Sequence, residues 1–161
     1  MTAPLFLVDD GRLAGLVCGS NVVLDGAEGR HATRVRRLSV GERLDLGDGA
    51  GRVCRATVAQ VRGDALLAQV TQIQDVAAAA PHLIVVQALA KGDRDERAVE
   101  TMTEVGVDAI VPWQAGRSIT RWDSARAAKG VERWRTTARE AAKQSRRSWV
   151  PQISEDRKSV V

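Results

Sequence analysis

The most continuous apolar pattern in the chain covers residues 83–89, LIVVQAL, and predicts a strand buried on both faces. The polar loop Lys91-Gly92-Asp93 follows. Asp93 is placed to cap a helix, and Glu96 three positions on completes an acidic capping box at its positive end. Val99, Met102 and Val105 recur at three-residue spacing and predict the inward face of that helix, with Arg94, Arg97, Glu100 and Glu104 mostly elsewhere. Gly106 is placed to stop it in the left-handed conformation. A second apolar strand over residues 107–111 closes at Pro112. Strand, helix and strand of this length make a βαβ unit, with parallel strands joined by a right-handed crossover.

Upstream the pattern is finer. Residues 5–8 predict a short strand with a hairpin turn at 9–12, and residues 22–24 predict another strand broken by Asp25-Gly26. Residues 28–38 read as a short basic helix anchored by Val35 and Leu38, with Arg30, Arg34 and Arg37 on one side. Three strands follow over 43–46, 53–61 and 65–73, separated by the Gly-rich turn 47–51 and the turn 62–64. That spacing predicts a small β-barrel over residues 1–73, and the patternless stretch 74–81 reads as a linker. Downstream, residues 114–118 form a loop at the carboxyl end of a parallel strand, the edge where open α/β sheets bind ligands. A helical turn is expected over 122–129, then a longer helix from 131 to about 147, halted by Pro151. Val131, Trp134, Ala138, Ala141 and Ser145 give this helix a packing stripe. Arg135, Arg139, Lys143 and Arg146 give it a basic one, relieved only by Glu132 and Glu140. Like charges four apart on a helix repel, which favours a polyanion partner over a plain solvated face, although the solvated face stays open.

Charge sharpens that choice. The net charge is +4, and only four of the 24 basic residues are Lys, so arginine carries the positive charge. A GC-rich genome would produce such a bias; so would phosphate contact, because guanidinium forks match phosphate and stack on bases. With 161 residues and 44 % apolar content, the chain has enough core for one ordinary domain or two small ones. Cys18 and Cys54 lack metal spacing and have only His31 and His82 for company, so no metal site is expected, and both thiols read as small core hydrophobes in a reducing, cytoplasmic compartment. No charged-then-apolar leader and no apolar run of about 18 residues is present, so neither export nor membrane insertion is expected.

Several enzyme classes are excluded by their missing motifs. Lys91-Gly92 lacks phosphate-loop spacing, no GxGxxG follows a strand, and neither a serine elbow nor paired carboxylates at a strand end occur. Four stretches taken together resemble the RsmE family of bacterial methyltransferases, which modify N3 of a uridine in small-subunit (16S) ribosomal RNA. They are HATRVRRLSVGERLDLGDGAG (31–51), QALAKGDRDERAVETMTEVGVDAIVP (87–112), Arg117-Ser118, and AAKQSRRSWVPQI (141–153). The chain departs from the family pattern at Lys143, where many relatives carry Glu.

The resemblance implies a mixed fold. Residues 1–73 would form a PUA-like RNA-binding β-barrel, 74–81 a linker, and 82–155 the amino-terminal half of a SPOUT α/β domain with the trefoil-knot region missing. In the family that knot binds S-adenosylmethionine, through a G-P-E-G-G loop absent here, and forms the homodimer. Residues 156–161, DRKSVV, match one translated frame of a sequencing adapter, so a truncated reading frame with a foreign tail from about Asp156 is expected. The implied partner is ribosomal RNA of the small subunit. Transfer to N3 requires loss of its proton, which spreads negative charge onto the uracil oxygens until the methyl group is bonded, and a guanidinium would stabilise that charge. Arg117 and Arg147 are the candidates, with Gln144 orienting the uracil edge. His31, Arg34, Arg36 and Arg37 are expected to dock RNA through phosphates, together with Arg135, Arg139, Lys143 and Arg146, the two sets serving one strand. His31 reads equally well as a core histidine. The competing readings are a stand-alone RNA-binding module without catalysis and an inactive fragment. Either way, these 161 residues are expected to bind no S-adenosylmethionine.

Overall fold

The computed structural model describes residues 3–9 and 11–154. Residues 156–161, expected to be a foreign tail, lie outside the described residues, as does Asp10 of the turn at 9–12. The chain divides into two compact units, Met1–Ala78 and Ala79–Val161.

In the first unit β1 (Leu5–Leu7), β2 (Asn21–Leu24), β3 (Arg43–Gly47), β4 (Arg52–Arg62) and β5 (Ala65–Asp75) form one sheet in the order β1-β3-β4-β5-β2. Only β1 and β3 run parallel; the other ladders are antiparallel. Period-two alternation turns Leu44 and Leu46, Cys54, Ala56 and Val58, and Leu66, Ala68 and Val70 into one core with Phe6, Leu13 and Leu24. β1 and β2 end the sheet, so among the described residues its ladder is an open one. Arg12 donates its backbone N–H to the Asp9 carbonyl, 3.2 Å, but the turn at 9–12 joins no hairpin, because β1 pairs with β3 and β2 with β5. Cys54 is buried as expected, whereas Cys18 is exposed.

Helix α1 (Gly26–Arg30) runs into a π turn (His31–Val35). Gly29 is buried where a Cβ would lie 2.5 Å from the Asp64 carbonyl oxygen and 2.7 Å from that of Leu24, so only glycine lets this helix meet the strand ends. The π turn shifts the helical register from this point on. Leu38 packs against the core as predicted, but Val35 is 69 % exposed and anchors nothing. The one-sided Arg30, Arg34, Arg37 row is broken for the same reason, since 3.6-residue spacing fails where the bond is i→i+5.

In the second unit β6 (Ile84–Ala88), β7 (Ala109–Trp113) and β8 (Gln152–Ile153) form a parallel sheet in that order, with α2 (Arg94–Val105) between β6 and β7 and α3 (Ser124–Ser145) between β7 and β8. The βαβ unit is present, but β6 is not buried on both faces: Leu83, Ile84 and Val86 are 49 %, 63 % and 59 % exposed. Gly106 ends α2 at φ +98°. The capping box does not form. Asp93 makes no side-chain cap bond, and Glu96 instead pairs with Arg133 of α3. The buried face of α2 is Asp95, Val99 and Thr103, with Met102 packed beside it, while Val105 is exposed. Two polar residues survive burial because each is bonded locally: Thr103 donates to the Val99 carbonyl at 2.7 Å, and Asp95 accepts the Ala90 N–H at 2.6 Å.

The helical turn and longer helix expected at 122–147 are one helix. Asp123 caps it, accepting the Arg126 N–H at 2.9 Å. Gly130 does not break it, because Trp122 lies across Gly130, where a Cβ would fall 2.6 Å from the indole. Trp122 in turn packs edge-on against Trp134 at 5.5 Å. Val131, Trp134, Ala138 and Ala141 are buried as predicted; Ser145 is exposed, and Ala142 takes its place. No helix among the described residues is long and apolar enough to cross a membrane.

Candidate nucleic-acid interface

In the first unit, ion pairing sorts the arginines. Arg12 pairs with Asp25 at 2.8 Å, Arg34 with Asp64 at 2.7 Å, and Arg52 with both oxygens of Asp75 at 2.7 and 3.1 Å. The Arg52 guanidinium holds the Asp75 carboxyl below the usual carboxylate range, first by its hydrogen bond. Arg34 ties the π turn to the β4–β5 turn, so its charge is already matched. Arg36, Arg37 and Arg43 are exposed and have no carboxylate partner among the described residues.

Backbone geometry sets these groups apart from a regular helix. The Arg36 N–H bonds the His31 carbonyl at 2.9 Å, the Leu38 N–H bonds that of Ala32 at 3.0 Å, and Arg37 sits at φ +53°. A non-glycine residue in the left-handed region is strained, and such strain concentrates at functional turns. His31 stands edge-on to buried Phe6 at 5.8 Å, half-buried, and so anchors this turn to the core. Arg43, which sequence reasoning passed over, opens β3 on the same loop. Its position at the first residue of a strand was the available signal.

In the second unit the basic stripe of α3 is only partly solvent-facing. Arg135 is exposed, 3.7 Å from Glu132 and 3.4 Å from the Ile153 carbonyl; Arg139 is half-buried; Arg146 is exposed at the helix end with φ +59°. Lys143 departs from the predicted stripe. It is 8 % exposed, with its ammonium 3.1 Å from Glu140, because α3 turns this position toward the packed side next to Ala142. Gln144 is exposed. Arg147 lies over Gly106, where a Cβ would come within 3.1 Å of its guanidinium carbon, and its Nε is buried without a hydrogen-bond partner among the described residues.

Arg117 and Arg147 are not brought together. Arg117 is exposed on the loop after the carboxyl end of β7, whereas Gly106, which Arg147 covers, precedes the amino end of that strand. Five residues of strand separate the two edges by about 16 Å. At the carboxyl edge the polar groups bond one another: Asp95 to the Ala90 N–H, the Thr120 hydroxyl to the Ala90 carbonyl at 2.8 Å, and Gln114 to the Trp122 N–H at 2.9 Å. Burial raises the Asp95 carboxyl, partly opposed by the Ala90 bond. Asp95 was invisible to the sequence reading because a carboxylate next to Glu96 scores as surface. No cluster of three or more metal-ligating side chains occurs among the described residues.

Comparison with known proteins gives a consistent set. Residues 78–159 match the RNA methyltransferase domain model, and residues 24–71 match the RNA methyltransferase PUA domain model. The "Ribosomal RNA small subunit methyltransferase E" of Mycobacterium bovis is 46 % identical over 153 residues, which are 95 % of this chain and 57 % of the relative. The Bacillus subtilis protein of that name is 30 % identical over 131 residues, covering 81 % of this chain and 51 % of the relative. The Neisseria gonorrhoeae protein of that name, solved with S-adenosyl methionine, superposes with a TM-score of 0.82 at 29 % identity, over 96 % of this chain and 62 % of the other. The chain thus spans about half the length of the curated relatives it matches.

Proposed function

From the chain's membership of the RNA methyltransferase family, which these matches establish, we propose that it is the amino-terminal portion of an enzyme that methylates N3 of a uridine in 16S ribosomal RNA. The observation that carries this reading is the 46 % identity to the mycobacterial enzyme across nearly the whole chain. The first unit serves as the RNA-binding PUA-like domain and the second as the first half of the methyltransferase domain. The longer protein works in the cytoplasm as a homodimer on the small-subunit RNA.

S-adenosylmethionine supplies the methyl group in that reaction. At the carboxyl edge of β6 and β7 the Asp95, Thr120 and Gln114 side chains are engaged with the backbone of Ala90 and Trp122, which supports a cofactor site elsewhere. We therefore assign the cofactor site to the part of the longer relatives that this chain does not span, and expect these 161 residues to be inactive alone. What the chain contributes is recognition. N3 lies on the pairing edge, so the uridine must be unpaired, and the charge that loss of the N3 proton spreads onto O2 and O4 before methyl transfer needs a cation. Arg117 is the candidate at the carboxyl edge. Gln144 and Arg147 share the end of α3 and form a separate candidate pair for the uracil edge. His31 positions the turn that carries Arg36 and Arg37, and those two contact phosphates, as do Arg135, Arg139 and Arg146. Arg34 and Lys143 contribute to that field through charges already paired.

Calorimetric titration of the 161-residue chain with S-adenosylmethionine should give no binding heat. A chimera carrying the remaining portion of the mycobacterial relative should methylate small-subunit RNA and produce a primer-extension stop, because an N3-methyl blocks pairing. Tight cofactor binding by the chain alone, or methylation at another atom, would overturn the proposal.

A further inference from the structure

The RNA-binding reading of the first unit places charge but not a nucleotide. A groove of about 520 Å³ lies beside the π turn, lined by Pro4, Val35, Arg36, Leu38, Glu42 and Arg43 among others. Its walls are fixed by backbone bonds. The Pro4 carbonyl accepts the Asp45 N–H at 2.8 Å, the Gly41 N–H reaches the Val58 carbonyl at 2.8 Å, and the Glu42 carbonyl accepts the Val58 N–H at 2.9 Å. The Glu42 carboxylate is also engaged, accepting the Ser39 N–H at 2.6 Å. The groove is therefore preformed.

Its lining is of two kinds. Val35 is 69 % exposed and Leu38 continues its apolar surface inward to the core. Arg36 and Arg43 stand exposed on the same lining, without carboxylate partners among the described residues. Held by an i→i+5 turn and a left-handed Arg37, the chain here presents a valine to water on the lining that also carries Arg36 and Arg43. Apolar side chains with cations on the same lining complement an unpaired nucleotide, whose flat base wants apolar or guanidinium contact and whose flanking phosphates want positive charge. A duplex does not fit, because its bases are stacked inside.

We propose that this groove holds one unpaired nucleotide of the RNA, its base against Val35 and Leu38 and its flanking phosphates on Arg36 and Arg43. The proposal rests on the RNA-binding reading of the first unit and adds to it a preference for single-stranded RNA. The test uses the full chain with a fluorescent decauridylate and with an RNA duplex of equal length, followed by anisotropy. Val35→Ser should weaken decauridylate binding about three- to tenfold, leaving duplex binding and the salt slope unchanged. Arg43→Ala should lower the salt slope by about one unit. A 4-thiouridine version of the oligonucleotide should crosslink to the peptide carrying residues 35–43. Because Val35 is solvent-exposed, its substitution should leave the melting temperature unchanged, and Val35→Ala gives a second, milder variant should the first fail to fold. Unchanged decauridylate affinity in the valine variants, with an arginine effect retained, would overturn the groove and leave the phosphate reading standing, as would crosslinks mapping elsewhere. If the unaltered chain retains neither RNA at low salt, the RNA-binding reading fails and this proposal with it.

Discussion

At the scale of single residues, the second unit stores two measurable costs. Arg146 closes α3 in the left-handed conformation, where a Cβ is unfavourable by about 1–2 kcal/mol. Arg146→Gly should therefore raise stability in urea melts by roughly 1 kcal/mol. If Arg146 also meets phosphate, the same variant should lose RNA affinity, so stability and binding move in opposite directions. Asp95 is the second cost. Its buried carboxyl titrates above the ordinary range, so the folded chain retains a proton that the unfolded chain has released. This contribution is fully present below the unfolded pKa and disappears as pH rises through the folded one. Asp95→Asn keeps an acceptor for the Ala90 N–H and should flatten the stability–pH curve across that window. Asp95→Ala orphans that N–H and should cost about 1–3 kcal/mol at any pH. Asp75 runs the other way: its lowered value stabilises above the unfolded pKa, and that part is lost as pH falls through the folded one.

At the scale of elements, Gly130 separates propensity from packing. In an isolated helix Gly→Ala gains about 1 kcal/mol. Here the added methyl must displace the Trp122 ring and its contact with Trp134, so Gly130→Ala should lower stability by about 1 kcal/mol or more in thermal melts. The same residue marks where the sequence was readable and where it was not. The strands β3 to β5 and the βαβ unit were legible because alternation and apolar runs report burial directly. The single helix α3 was expected as two pieces, 122–129 and 131–147, since close packing of the Trp122 ring on Gly130 leaves no periodic trace. The inner face of α2 was legible at Val99 and Met102 but not beyond them: Thr103 and Asp95 are buried with local bonds, which hydropathy cannot register, while Val105, like Val35 of the π turn, is apolar and exposed. The strand β6 likewise looked two-sided, yet Ile84 and Val86 face solvent in this chain.

At the scale of the whole molecule, an excess of arginine was visible at once, but its division between internal pairs and outward groups was not. Carboxylates about thirty positions away, such as Asp64 for Arg34, decide that division, and only the fold brings them together. Arginine count alone is therefore a poor guide to the candidate interface; the exposed, unpaired subset is the better one. Counterion release makes the difference measurable, because each phosphate contact adds about 0.7–0.9 to the salt slope of binding. The direct measurement is the salt dependence of single-stranded RNA binding by the 161-residue chain, its Arg36→Ala/Arg37→Ala double variant and its Arg34→Ala variant. The double variant should lose about 1.5 units of slope and Arg34→Ala far less. Equal losses in both variants, or a slope unchanged by the double substitution, would contradict the assignment of RNA contact to the arginines that the fold leaves unpaired.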